Sequence, residues 1–205
     1  MIVETGDAAI IAQTNASQKP PVIFIHGLWS KSTIWRGWND VFEAAGYVPL
    51  APEWPARLGG AAGPETIGEV AAHLARIAGA LERRPALIGH AFGALIAQIL
   101  AARGLSAATV AIEPGSFGGG LPLDAWAEAP VDAAAAGRGP LLMISFARDH
   151  ILSSSVRRGA YDQQGCYGHA VTEFIELPRR GRSMPVESRS SGVAQTALTF
   201  LKRFL

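Results

Sequence analysis

The run Val22-Ile23-Phe24-Ile25 constrains this chain more than any other feature. It is continuously apolar, without polar alternation, and is bounded by Lys19-Pro20-Pro21 and Gly27. A strand of that kind is buried on both faces, so helices must cover it above and below. The rest of the sequence supplies them. Helices are expected over Ser32–Ala45, Pro64–Glu82, Phe92–Arg103, Ser154–Gln164 and Gly192–Phe204. Further strands are expected at Tyr47–Ala51 (also buried), Ala86–Gly89, Ala108–Glu113, 141–147 and Val171–Leu177. Strands alternating with helices predict a mostly parallel sheet with helices on both faces. Ahead of them, Met1–Glu4 and Ala8–Gln13 flank Gly6-Asp7 and suggest a hairpin. It would bring the sheet to about eight strands.

Composition fits one folded unit. Of 205 residues, 49% are apolar and 17% charged, which excludes a disordered chain. The length favours a single domain over 1–205. A net charge of +1 offers no global field for nucleic acid or an anionic membrane. Pro85 to Ala102 carries no formal charge and raises the question of a membrane span. Gly89, His90, Gly93 and Gln98 interrupt it, and strand–turn–helix explains it better. Glu4 and Asp7 stand where a signal peptide would be basic, so a cytoplasmic protein is expected. Cys166 is the single cysteine and excludes an intramolecular disulfide. No metal, nucleotide or flavin motif is present, so no cofactor and no metal are expected.

Ligands of open α/β sheets bind outside the carboxyl ends of the strands. Two strand ends are informative. One is His26-Gly27-Leu28-Trp29, and the other is Gly89-His90-Ala91-Phe92-Gly93. In the second, glycines two residues either side of the apex allow a strand to turn directly into a helix. The helix N-terminus then favours a developing oxyanion.

This segment resembles the G-x-S-x-G nucleophile elbow of the α/β-hydrolase superfamily. The resemblance covers nearly the whole chain and implies that fold. It makes His26-Gly27 the oxyanion turn, with the backbone N–H groups of Leu28 and Phe92 as donors. It places Asp149, in Phe146-Ala147-Arg148-Asp149-His150, at the position of the family's acid. The loop Leu177-Pro178-Arg179-Arg180-Gly181-Arg182-Ser183 matches the one that carries the family's histidine.

Three departures change the chemistry. The nucleophile position is Ala91, and a methyl group cannot attack. The histidine position is Arg182, which stays protonated and cannot act as a general base. Where helical caps are usually inserted, residues 114–140 are few and rich in Gly and Ala, so the cap is minimal or absent. An uncovered apolar cleft predicts a homodimer, with Leu121, Leu123 and Trp126 near its rim.

Asp149, Arg182 and His26 are therefore the candidate catalytic groups, with Trp29, Glu113 and His150 as pocket candidates. His26 also has a structural reading, as a hydrogen-bond donor within its own turn. His90 is expected to point into the fold. Three functions remain in view. The first is a non-hydrolytic, cofactor-free catalyst of cyclisation, dehydration or lyase chemistry on a small, mostly apolar molecule. The second is a non-catalytic binder of a ligand or partner. The third is a serine hydrolase inactivated by substitution, against which Arg182 speaks, since one change would suffice.

Overall fold

The computed structural model describes residues 5–27, 30–55, 67–114, 137–146, 170–177 and 191–205. The elements are α1 (Thr5–Ser17), β1 (Pro21–Ile25), a 3-10 turn (Ser32–Trp35), α2 (Arg36–Ala44), β2 (Val48–Leu50) and α3 (Ile67–Ala80). There follow β3 (Ala86–His90), α4 (Phe92–Ala102), β4 (Ala108–Ile112), β5 (Leu141–Phe146), β6 (Thr172–Leu177) and α5 (Ser191–Leu201). The described strands form one sheet in the order β2-β1-β3-β4-β5-β6, and every pairing is parallel. The chain leaves β1 toward β2 on one side, then crosses back to β3 on the other. The strand order reverses between β1 and β3, and that is where such sheets open a crevice.

Side-chain alternation divides the core. Val22, Phe24, Ile88, Val110 and Ile144 join Trp35, with Trp38 and Phe42 of α2 and Ala194, Ala197, Leu198 and Leu201 of α5. This face is aromatic: Phe24 stacks on Trp35 at 5.0 Å and meets Phe42 edge-on at 5.3 Å. Ile23, Ile25 and Leu87 face the other way, onto Ile11 of α1, Val70, Leu74 and Ile77 of α3, and Ile96 and Leu100 of α4. The buried α3 positions Ile67, Val70, Ala71, Leu74 and Ile77 keep the helical spacing of the sequence. Arg203, beyond α5, pairs with Glu173 of β6 at 2.6 Å.

The expected hairpin is overturned. Ala8–Gln13 lies inside α1, while Met1–Glu4 is outside the described residues. Ala8, Ala9, Ala12 and Ala16 favour a helix, and the helix buries Ile11 and Thr14 one turn apart. Its position is fixed by polar contacts. The Asn15 amide donates to the Ala80 carbonyl at 3.2 Å, and its oxygen accepts the Glu82 N–H at 3.1 Å. Asp7 lies 3.7 Å from His73 of α3. The described sheet consequently has six strands rather than eight. The strand expected at Tyr47–Ala51 is shorter and buries only Leu50 fully, because it forms an edge. The helix expected at Ser154–Gln164 and residues Pro64–Thr66 of the helix expected over Pro64–Glu82 lie outside the described residues. No described helix is long and apolar enough to cross a membrane.

Candidate functional site

Ala91 is the single residue between β3 and α4, and it holds φ 53° and ψ −115°. A residue with a Cβ adopts positive φ only where its surroundings enforce it. Here they do. The Ala91 N–H donates to the Ile112 carbonyl at 2.9 Å, and the Ala91 carbonyl accepts the Ala94 N–H at 3.0 Å. The flanking glycines allow a packing that no other residue could. A Cβ on Gly89 would collide with the Gly93 carbonyl and stand 2.6 Å from Ala94 Cα. A Cβ on Gly93 would collide with the Ile25 carbonyl and stand 2.7 Å from the His26 oxygen. The first turn of α4 is thereby pressed against the end of β1. Gly27 faces the apex: a Cβ there would lie 3.4 Å from Ala91 Cβ and 3.8 Å from the Phe92 nitrogen.

His26 follows β1 and is only 3% exposed. Its Nδ1 lies 3.0 Å from the Gly27 carbonyl. That oxygen can only accept, which assigns the Nδ1 proton by chemistry. Its Nε2 stands 3.3 Å from Glu53 Oε2, close enough for an ion pair but out of line for a hydrogen bond. The ring stacks on Trp54, centroids 5.2 Å apart and planes 17° apart. Trp54 in turn meets the Phe92 ring at 5.8 Å. The other Glu53 oxygen accepts the Ser32 N–H at 3.1 Å and the Ser32 hydroxyl at 2.5 Å. Partial burial alone would raise the Glu53 pKa. The two Ser32 hydrogen bonds, then the His26 and Lys31 charges, outweigh it and hold the carboxyl below its ordinary value.

His90 points into the fold as expected. It is buried, its Nδ1 has no hydrogen-bond partner, and burial pushes its pKa down to about 4. It is a neutral packing group. Glu113 follows β4 at φ 48°. Its Oε1 accepts the Phe146 N–H at 2.7 Å, so it joins the ends of β4 and β5. That contact ties the two strand ends together at Glu113.

The structure therefore brings His26, Ala91 and Phe92 together. Leu28, Trp29, Asp149, His150 and Arg182 lie outside the described residues. Glu53, Trp54 and Ser32 were missed in the sequence. They follow β2 or the β1 turn and belong to no motif. Glu53 and Trp54 do follow the carboxyl end of β2, the kind of place where ligands of such sheets bind. Among the described residues no cluster of His, Cys, Asp and Glu could hold a metal.

A doubly wound sheet with a strained strand–turn–helix at its reversal point defines a hydrolase-type scaffold, whatever residue occupies the apex. The sequence profile of the alpha/beta hydrolase family matches residues 22–196, and the chain belongs to that family. No curated protein matches it in sequence. Among solved structures it is similar to a monoacylglycerol lipase from Paleococcus ferrophilus, at 17% identity and TM-score 0.66, covering 91% of this chain and 96% of that one. An esterase from Pyrococcus furiosus matches at 16% identity and TM-score 0.66, over 93% and 83%. An epoxide hydrolase from Vigna radiata matches at 14% identity and TM-score 0.66, over 91% and 92%. At these identities the likeness establishes the fold alone.

Proposed function

We propose that this chain uses the hydrolase scaffold for cofactor-free acid–base chemistry, a cyclisation, dehydration or elimination on a small, mostly apolar carbonyl compound. One observation carries the reading. The elbow keeps its strained backbone, yet its apex is a methyl group. Backbone strain of this kind costs about 1–3 kcal/mol and persists where the surroundings over-determine it. It aims the N-terminus of α4 at the space above Ala91. A carbonyl oxygen seated there would be polarised by the Phe92 N–H, and by Leu28 as the family resemblance implies. His26, at the end of the neighbouring strand β1, is the acid–base group of this reading. Asp149 and Arg182 belong to the same reading as a charge-assisted pair in place of the triad's aspartate and histidine. A homodimer would cover the cleft, and light scattering at micromolar concentration tests it.

The main test is chemical. Fluorophosphonate probes should not label the protein, and nitrophenyl esters should not turn over above a heat-treated control. Ala91→Ser alone should remain inactive, because it adds a nucleophile without a base and triad members act as a unit. Labelling of the native chain at any serine would overturn the proposal. The family and the solved relatives are hydrolases, so this test faces the simpler expectation directly.

A non-catalytic binder is the second reading. The burial of His26 favours it, since both ring nitrogens already face protein oxygens. A ligand that binds and returns unchanged after prolonged incubation would select it.

A further inference from the structure

We infer that the outer edge of β2 is closed to strand addition, that Pro49 is the residue that closes it, and that the partner it excludes is a second copy of this chain. The sheet itself creates the hazard. With α1 in place of the expected hairpin, β2 is an end strand of the described sheet. An end strand presents N–H and C=O groups on which the strand of another chain can build. Beside it runs a groove of about 490 Å³, lined by Ile10 and Thr14 of α1, Lys19, Glu43 of α2, and Tyr47 and Pro49. Ile10 is 48% exposed, one of two large apolar side chains so exposed among the described residues. Apolar surface next to an open ladder favours association with another copy.

The backbone of β2 removes the hazard. Successive residues of a strand turn their N–H and C=O groups to opposite edges. The Val48 N–H donates to the Pro20 carbonyl at 3.0 Å, so Val48 faces β1. Pro49 therefore faces outward, and its nitrogen carries no hydrogen. The residue before the strand, Tyr47, spends its own N–H on the Phe42 carbonyl of α2 at 3.0 Å. From Tyr47 through Leu50 no donor is left on the outer edge, and Pro49 offers a carbonyl alone. An incoming strand needs both groups: its own carbonyl would find no N–H, and a carbonyl buried without a donor costs more than the pairing returns. The position is selective. At Val48 or Leu50 a proline would break the ladder to β1, and of the three residues of β2 only Pro49 can lose its N–H without that loss. The shortness of the strand and the charges of Lys19 and Glu43 in the groove act in the same direction.

The test restores the missing hydrogen. Pro49→Val in the full chain gives position 49 an N–H and a strand-prone side chain. Sedimentation velocity across the micromolar range compares it with wild type, and hydrogen–deuterium exchange locates the contact. The variant should self-associate at least about tenfold more tightly, because a two-fold pairing gains the new hydrogen bond twice. The amides of residues 47–51 should gain protection as its concentration rises. In the wild type the same amides should exchange at a rate independent of concentration, also where two copies meet over the cleft, which lies at the carboxyl ends of the strands. A folded Pro49→Val that sediments as the wild type does overturns the inference. Association that leaves residues 47–51 unprotected overturns it as well, since the contact would then lie elsewhere. So does concentration-dependent protection of these residues in the wild type, because the edge would already be pairing. Should Pro49→Val not fold, Pro49→Ala supplies the same N–H and is read by the same outcomes.

Discussion

At the end of β3, Ala91 holds φ 53° and presents a methyl group. One strand away, at the end of β1, His26 presents an imidazole tied to a carbonyl, a carboxylate and an indole. The first region has a strained backbone and carries no reactive side chain at its apex. The second has ordinary backbone and concentrated side-chain chemistry. The difference teaches that the elbow is maintained by packing, not by its nucleophile. Gly89 and Gly93 make the contact between α4 and β1 possible, and that contact does not depend on what stands at the apex. A chain can therefore exchange the apex residue and keep the site's shape.

The comparison breaks most readily at Gly93. Gly93→Ala sets a Cβ against the Ile25 and His26 carbonyls, which are backbone and cannot rotate aside. Chemical denaturation should show a loss of about 4 kcal/mol or more, or no folded protein. If the variant were near wild-type stability, packing would not be what maintains the elbow.

The next effect is at His90. Burial pushes its folded pKa down to about 4 from the ordinary histidine value of 6.5. The folded state therefore prefers the neutral ring, and the unfolded state binds more protons between those values. Stability from this group is fully present above pH 6.5 and is lost as pH falls through 4. The total is on the order of 3 kcal/mol, and His90→Gln should flatten that part of the stability–pH curve.

A smaller effect sharpens the contrast at the apex itself. Ala91→Gly removes the Cβ from a positive-φ position and should stabilise the fold by about 1 kcal/mol. Thermal unfolding measures it, and a destabilised variant would mean that the methyl packs usefully. The smallest is Gly79→Ala in α3, where a Cβ meets nothing within 4 Å. There the same exchange as at Gly93 should stabilise by about 0.5–1 kcal/mol. The opposite signs at Gly93 and Gly79 separate a glycine required by close approach from one tolerated on a helix surface.

The sheet was legible because its signals are local. Val22–Ile25, Ala86–His90 and Leu141–Phe146 are apolar runs whose burial follows from composition alone. The elbow was legible because its two glycines are a spacing, and spacing survives in a one-dimensional string. The N-terminal helix was not. Ile10-Ile11 suggested a strand and Gly6-Asp7 a turn, while the alanines around them and the docking of Ile11 on α3 decided for helix. The partnership of His26 and Glu53 was invisible for another reason. It arises from the parallel pairing of β1 with β2, which aligns Ile23 with Leu50 and so brings the two following loops together. No motif encodes that register.

The position of α5 bears on how the chain must be made. Val193, Ala194, Ala197, Leu198 and Leu201 close the face lined by Phe24, Trp35, Trp38 and Phe42, whose residues are synthesised first. Among the described residues α5 is the helix that closes that aromatic surface, and residues 191–201 emerge after all the others that line it. Its parallel strands likewise wait for partners distant in sequence. The nascent chain thus carries an apolar aromatic surface before α5 is made to close it, the kind of transient exposure that invites aggregation.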